Sequence, residues 1–152
     1  MAESQKHSAT RLLRRVPHIG PIRAALWIAF IQTPHRFRTK RQLWTYSGLA
    51  IETRDSGEYS YGKGQLQRAK RHSNVRGLNK NHNHDLKYLF KSTPRASCCA
   101  GPLQDFYAAR VARGIKPDMA RLTLARKIAA ITLTVWKKGE RFDAERLKQQ
   151  AA

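Results

Sequence analysis

The stretch "IETRDSGEYSYGKG", residues 51–64, contains a serine, Ser56, between an acid and a glycine. A serine hydroxyl becomes a nucleophile only when a base, a metal ion or cationic groups stabilise its attack. Arg54 and Lys63 supply nearby cations, but no base stands close to the serine in the sequence. Because Ser-Gly in a polar loop is usually a turn, the residue types leave two readings open, a nucleophile and a simple turn.

A second candidate for chemistry is "NHNHD", residues 81–85, whose two imidazoles and one carboxylate suggest a metal site or a histidine-centred nuclease. On a helix, His82 and His84 would face different directions and could not share one ion, and no second pair of ligands follows at useful spacing. Helix capping by the asparagines and contact with phosphate explain the stretch without a metal. We therefore predict that this chain has no metal site, and we keep a stand-alone nuclease as a rival hypothesis.

The segment "VPHIGPIRAAL", residues 16–26, has the form of a helix-hairpin-helix element. Unpaired backbone N–H groups and the positive end of the helix dipole bind phosphate at such a turn without reading base sequence. His18, Gly20 and Arg23 are the residues that we expect to contact DNA there. An ordinary helix-helix corner is the alternative, and the arginines flanking the turn favour phosphate binding.

The charge of the chain indicates a polyanionic partner. It has 152 residues, with 30 Lys and Arg against 10 Asp and Glu, a formal charge of +20 and a pI near 11.0. This excess is far larger than solubility requires and favours nucleic acid over an anionic membrane surface. Hydrophobic residues make up 41% of the chain, enough for one folded domain.

Cysteine usage and hydropathy indicate a reducing, cytosolic setting. The two cysteines, Cys98 and Cys99, are adjacent and cannot by themselves form a disulfide framework or a zinc site. No apolar run reaches the roughly 18 residues of a membrane span, and the N-terminus lacks the apolar core of a signal peptide. We expect neither export nor membrane insertion.

The main electrostatic footprint is predicted between Gly62 and Lys91, where Asp85 is the only acid. Its basic residues are Lys63, Arg68, Lys70, Arg71, Arg76, Lys80, Lys87 and Lys91. If about five of them contact phosphates, log K should fall against log[salt] with a slope of roughly −4 to −5. Tyr59 and Tyr61 either stack on bases or pin a hairpin.

Hydrophobic periodicity and turn residues predict a mostly α-helical fold with a long basic loop or weak hairpin between helices. We expect the helix from Pro21 to be buried at the centre and the next helix to run from its Thr39 cap to Gly48. The helix after the loop should end before Pro94. A further helix closes at Gly114, and the longest helix follows, with core residues from Met119 to Trp136.

Several blocks in order resemble one family: "RRVPHIGPIRAALWIAFI", "RQLWTYSGL", the "SG" element, the Lys-Asn stretch that opens a helix, and "ARK" before "KKGERFD". The family is the bacterial insertion-sequence transposases that join an N-terminal RNase H-like (DEDD) nuclease domain to a C-terminal helix-hairpin-helix transposase domain. The resemblance implies a site-specific DNA recombinase in which Ser56 attacks a DNA phosphate and forms a covalent protein–DNA intermediate.

The resemblance also implies partners. Members act as homo-oligomers guided by a structured RNA, and their acidic nuclease domain holds a divalent metal, Mg²⁺, beside the serine of a partner subunit. The ten carboxylates of this chain do not cluster as a metal site, so we expect no cofactor in this chain and Mg²⁺ only with a separate nuclease domain. A bacterial cytoplasmic, nucleoid-associated location follows from the same resemblance.

The resulting hypothesis is a DNA-binding transposase domain that is inactive alone. Its expected organisation is an N-terminal extension over 1–11, the helix-hairpin-helix transposase domain over 12–143 and a C-terminal tail over 144–152. The expected DNA-binding residues are His18, Gly20, Arg23, Arg54, Lys63, Arg68, Lys70, Arg71, Arg76 and Lys80. The alternative is a basic RNA-binding structural protein, similar to a ribosomal protein, that uses the hairpin on phosphates.

Overall fold

Six α-helices and four short strands make up the described part of a computed structural model, which covers residues 8–54, 59–62, 64–68, 74–98 and 101–144. The helices are α1 Ser8–Leu13, α2 Pro21–Ile31, α3 Lys40–Tyr46, α4 His84–Ser97, α5 Pro102–Ala112 and α6 Pro117–Lys138, with a 3₁₀ turn at Pro34–Arg36. The strands are β1 Ile51–Arg54, β2 Tyr59–Gly62, β3 Gln65–Arg68 and β4 Asn74–Leu78. The predicted mostly α fold is confirmed.

The longest helix, α6, is the common packing partner of the other elements. It contacts α1, α3, α4, α5 and the 3₁₀ turn. Its buried side chains recur at helical spacing along most of its length: Ala120, Leu124, Ala125, Ile128, Ala129, Thr132, Leu133 and Val135. The hydroxyl of Thr132 donates to the Ile128 carbonyl at 2.8 Å, so this polar group is satisfied inside the core.

A pair of fully buried aromatic rings joins α2 to α4. The ring centroids of Trp27 and Phe90 are 5.0 Å apart, and neither side chain is exposed to solvent. Burying a large apolar side chain contributes about 1.5–3 kcal/mol, so this contact fixes α2 firmly on α4. Trp27 belongs to the hydrophobic core, and Trp44 and Trp136 are partly buried against the same core.

The strands form two antiparallel pairs, one nested inside the other in chain order. β1 pairs with β4, with a register shift between Ile51 and Thr53, and β2 pairs with β3 so that Tyr61 faces Leu66. The inner pair is the hairpin predicted around the tyrosines. The outer pair was not predicted, because its two strands lie about 20 residues apart in the sequence and local pattern carries no signal for such a pairing.

The helix boundaries follow the predicted caps. Thr39 and Gln42 form a reciprocal capping box at the start of α3, and Gly48, Gly114 and Gly139 each take positive φ after a helix. α2 begins at Pro21 as predicted, and α1 ends at Leu13, three residues before the predicted end near Val16. The helix-hairpin-helix assignment stays a prediction. The proposed division into an extension, a domain and a tail stays a prediction.

Three local predictions are wrong. α4 continues through Pro94, because the helix loses only one backbone donor there and the Cys98 N–H still donates to the Pro94 carbonyl at 2.9 Å. α2 is not buried all round, since Ile22 is 60% exposed and Leu26 lies beside it at the surface. Met119, assigned to the core, is 49% exposed because it lies in the first turn of α6, beyond the buried stretch of that helix.

A close contact fixes the end of α3. Gly48 has φ +66, and a Cβ added there would lie 2.4 Å from Cγ of His82. Asn79 reinforces the contact by donating its side-chain amide to the Thr45 carbonyl at 3.2 Å. This position therefore requires glycine for two reasons, its backbone conformation and the imidazole packed against it.

We predict that Gly48→Ala destabilises the protein more than Gly139→Ala. Both glycines have φ +66, so both substitutions carry the left-handed penalty of about 1–2 kcal/mol. At Gly48 the added Cβ would also clash with the His82 ring, whereas no atom lies within 4 Å of the Cβ position at Gly139. Urea denaturation of the two variants measures the difference, and equal losses would contradict the contact.

Candidate nucleic-acid interface

One face of α4 is basic along its whole length. His84, Lys87, Lys91 and Arg95 project from it, together with Tyr88. At 3.6 residues per turn these positions fall within an arc of about 100°, so they form a single stripe. Lysine and arginine four residues apart repel each other and weaken a helix, and a bound polyanion would relieve that repulsion.

This stripe borders a groove between α4 and the first half of α6. The groove has a volume of about 750 Å³. Its lining residues are Leu78, His84, Lys87, Tyr88, Lys91, Ser92, Arg95, Asp118, Met119, Arg121, Leu122 and Ala125. Five of them are basic residues or histidine and one is acidic, so the groove is suited to a negatively charged ligand.

Two apolar side chains stand among these charges without being buried. Tyr88 is 74% exposed and Met119 is 49% exposed. Exposed aromatic rings between cations are the arrangement that proteins use to bind single-stranded or distorted nucleic acid, because bases stack on the rings while cations contact the backbone. The groove therefore combines both kinds of contact.

The single acid in the groove is already engaged. Asp118 lies in the first turn of α6, where a carboxylate is favoured by the helix dipole. It accepts a hydrogen bond from Arg121 at 2.8 Å. Both side chains are largely exposed, so this ion pair contributes little to stability, but it offsets part of the negative charge that Asp118 would present to a phosphate.

The asparagine-rich turn before α4 has a structural role. The Asn83 side chain accepts from the Leu86 N–H at 2.8 Å and caps the helix. The Asn83 N–H donates to the Tyr46 carbonyl at 2.9 Å, and the Asn79 side chain binds both Thr45 and Asn81. The predicted capping is confirmed, and contact of this turn with phosphate stays a prediction.

The two histidines lie together, contrary to the prediction. His82 precedes α4 and His84 is its first residue, so the spacing argument for a helix does not apply, and their ring centroids are 4.5 Å apart. Lys87 Nζ lies 3.2 Å from His82 Nε2 and can donate to it when the neutral ring carries its proton on Nδ1. Within the described residues, no group of three or more His, Cys, Asp or Glu side chains is placed to hold a metal ion.

The environment of His82 lowers its pKa. Burial is the largest cause, followed by the charges of Lys87 and His84, while backbone carbonyls of Asn79 and Lys80 act in the opposite direction. Burial and then the charge of Lys91 also lower the pKa of Lys87. The neutral imidazole therefore acts as the hydrogen-bond acceptor that holds Lys87 at the edge of the groove.

The hairpin residues predicted to contact DNA lie in the turn between α1 and α2. His18 adopts φ 64 and is half-buried, Gly20 is the exposed N-cap of α2, and Arg23 donates to the His18 carbonyl at 3.0 Å. The His18 imidazole lies 3.5 Å from the Cβ position at Gly101. Arg23 thus stabilises the turn, and phosphate binding there stays a prediction.

The other predicted DNA-binding residues are spread over the strands and loops. Arg54 ends β1, Arg68 ends β3, Arg76 lies within β4, and Lys80 is exposed in the turn before α4. The catalytic candidate Ser56 and the predicted DNA-binding residues Lys63, Lys70 and Arg71 lie outside the described residues.

The hairpin tyrosines are not part of the core. Tyr59 is 63% exposed and Tyr61 is 77% exposed, and their cross-strand partners are Arg68 and Leu66. Leu66 is itself 66% exposed. A two-stranded hairpin is only marginally stable by itself in water, so this exposed apolar face favours the stacking interpretation over that of a packed hairpin.

The sequence interpretation missed the groove as a unit. Lys87 and Lys91 were assigned to the basic footprint, but Tyr88, Arg95 and Arg121 were not recognised. Because the helix was predicted to end before Pro94, Arg95 was not recognised as lying on the same helix face as Lys91. The helical spacing of positions 84, 87, 88, 91 and 95 could have predicted that these side chains share one face of α4. No local sequence pattern predicts that Arg121 on α6 approaches that face.

The described architecture is a mostly helical, strongly basic protein with one groove rich in cations and exposed apolar side chains. Residues 10–78 match the model of the Transposase IS116/IS110/IS902 family. The matched segment takes in α1 to α3 and the strands, and Ser56 falls within it. None of the described helices combines the length and hydrophobicity that a membrane span requires.

The chain is also similar to a protein of Streptomyces clavuligerus, the insertion element IS116 uncharacterized 44.8 kDa protein. The two are 27% identical over 117 residues, which are 76% of this chain and 26% of that relative. The chain therefore spans about a quarter of the length of the relative it matches. Both similarities support the resemblance to insertion-sequence transposases.

We predict that acidification destabilises the protein partly through His82. Its folded pKa lies below the ordinary value, so the unfolded chain takes up a proton first as the pH falls below about 6.5. The stability that depends on neutral His82 is present above that pH and is lost below it. His82→Gln should reduce the drop in Tm between pH 7.5 and pH 5.5, and an unchanged drop would contradict the assignment.

Proposed function

We propose that this chain is the DNA-binding part of an insertion-sequence transposase. The observation that carries the proposal is the family match over residues 10–78, which includes the hairpin element and the "SG" loop. The similarity to the insertion element protein agrees with it, and the charge of +20 supports it independently. Duplex DNA is the proposed partner, since a protein of this charge binds the phosphate backbone whatever the base sequence.

The groove between α4 and α6 is the proposed principal contact with DNA. The basic stripe of α4 would follow the phosphates, with Lys91 and Arg95 exposed on its surface. Tyr88 would stack on a base that is unpaired or displaced during strand exchange. His18, Gly20, Arg23 and the strand arginines would add contacts that position the duplex.

Ser56 is the proposed nucleophile. Its hydroxyl oxygen would attack a DNA phosphorus, a phosphoserine ester would form, and the bond from phosphorus to the departing strand oxygen would break, with a proton passing to that oxygen. Such an attack requires a base or a metal ion to lower its barrier. We propose that Mg²⁺ held by an acidic nuclease domain supplies this chemistry, in an oligomer guided by a structured RNA.

We predict that Lys91→Ala weakens duplex binding and makes its salt dependence shallower by about 0.9 in the slope of log K against log[salt], the effect of one lost phosphate contact. Lys138→Ala is the matched control, because Lys138 is an exposed lysine at the far end of α6 and pairs with Glu140 at 3.8 Å. Fluorescence anisotropy at several salt concentrations gives both slopes.

Equal effects of the two substitutions would show that charge alone, and not the groove, determines binding. The same titration with a folded RNA tests the alternative function. A clear preference for that RNA over duplex DNA would favour a basic RNA-binding structural protein.

For Ser56→Ala, we predict complete loss of a covalent protein–DNA adduct when the chain is combined with a nuclease domain of the family, Mg²⁺ and element-end DNA. The reason is that no other group would form the ester. A denaturing gel with labelled DNA detects the adduct, and Ser60→Ala is the control. An adduct that persists in the Ser56 variant would remove this residue from the mechanism while leaving DNA binding intact.

A further inference from the structure

A second cavity lies between α3, α5, α6 and the segment 140–143 that follows α6. Its volume is about 480 Å³, within the range of about 300–1,000 Å³ typical of small-molecule sites. None of its lining residues borders the α4–α6 groove. A ligand here would therefore contact a surface that the proposed duplex binding does not use.

The wall of this cavity is aromatic and apolar. Trp44, Phe106 and Phe142 line it, together with aliphatic side chains of α6 such as Ile131. The Trp44 indole N–H donates to the Arg126 carbonyl at 3.1 Å, which holds the ring in place. Fixed aromatic surface of this kind favours a planar ligand.

Cations surround the same rings. Lys40 Nζ lies 5.8 Å from the centroid of Trp44, and Lys127 Nζ lies 5.7 Å from that of Phe106. Arg110 approaches Phe106 as well, at 5.1 Å. Burial, and then the charges of Lys40 and Arg110, lower the pKa of Lys127. Lys127 is thus close enough to be repelled by both Lys40 and Arg110, and an anionic group beside Lys40 and Lys127 would be favoured.

The acids of the cavity lie on one side of it. Glu140 and Asp143 line it along the segment after α6, together with Arg141, whereas Lys40, Arg126 and Lys127 line it from α3 and α6. A phosphate would be repelled by the carboxylates and would lie toward the lysines. Amino groups of a ligand would be favoured near the carboxylates, which accept hydrogen bonds.

We propose that this cavity binds a nucleotide unit, with its base against Trp44 and Phe106 and its phosphate beside Lys40 and Lys127. The aromatic wall favours a planar ring, the carboxylates favour exocyclic hydrogen-bond donors, and the lysines favour a phosphate. A nucleotide has all three features. The unit is either a free nucleoside monophosphate or a nucleotide turned out of a DNA strand, since both present the same chemistry.

Binding of dAMP to the full chain, followed by NMR chemical shifts, tests the proposal. We expect saturable shifts at the Trp44 indole, with deoxyadenosine and inorganic phosphate each binding more weakly than dAMP. Lys127→Gln should weaken dAMP binding by about tenfold, as expected when a charge-assisted hydrogen bond is lost. Lys116→Gln, a matched change at an exposed lysine that lines neither cavity, should leave it unchanged.

Phe106→Leu provides a second variant that retains an apolar side chain, and its melting curve shows whether the fold is intact. Absence of saturable dAMP binding would overturn the proposal. So would dAMP binding that neither Lys127→Gln nor Phe106→Leu weakens, or that Lys116→Gln weakens equally. These outcomes leave duplex binding untouched, because that is measured through Lys91.

The source of the nucleotide is decided with a duplex containing 2-aminopurine, whose fluorescence rises when the base leaves the stack. A rise with the native chain that Phe106→Leu abolishes assigns the cavity to a nucleotide extruded from DNA. No rise, together with intact dAMP binding, assigns it to a free nucleoside monophosphate.

Discussion

Burial of α6 is the constraint on which the rest of the structure depends. One helix of 22 residues carries apolar side chains toward α1, α3, α4 and α5, and each of those shorter helices has its main long-range packing partner there. Short helices such as α1 and α3 are not stable alone in water. Their existence in this fold follows from the surface that α6 offers, which is why both candidate sites are built along its length.

The fold also keeps the charged side chains away from the hydrophobic core. With 30 basic residues against 10 acidic ones, the chain repels itself wherever cations cluster. The α4 stripe and the cation group around Phe106 are two places where the described side chains bring several positive charges together. At both places apolar surface lies beside the cations, and this combination is the reason for proposing nucleotides, which are anionic and partly apolar, as ligands.

The contacts that assemble the two candidate sites are of different kinds. In the α4–α6 groove they lie along two helices, with six lining residues on α4 and five on α6, so the groove depends on α4 remaining intact through Pro94. Around the second cavity they are long-range. The Trp44 indole binds the Arg126 carbonyl, and Arg126 Nε donates to the Leu49 carbonyl at 2.6 Å, joining α3 to α6 across about 80 residues of sequence. Burial also lowers the pKa of Arg126.

The sequence by itself determined the features that act within one or two helical turns. Neighbouring residues decide four such features, and each was predictable: the capping box at Thr39, the glycine after α3, the Pro21 start of α2 and the hairpin around Tyr61. The overall charge and the transposase resemblance were also available from the sequence, and Ser56 came from that resemblance.

Only the tertiary structure decided which faces meet. Three contacts join segments that are distant in sequence: β1 pairs with β4, His82 contacts Gly48, and Arg121 approaches the α4 stripe. Ile22, in contrast, is left exposed because no distant segment in the described part of the chain covers it. Periodicity shows that a helix has an apolar side, but it does not show which neighbour covers that side. That choice depends on how the six helices pack together, because the free energy of burial is shared over the whole core.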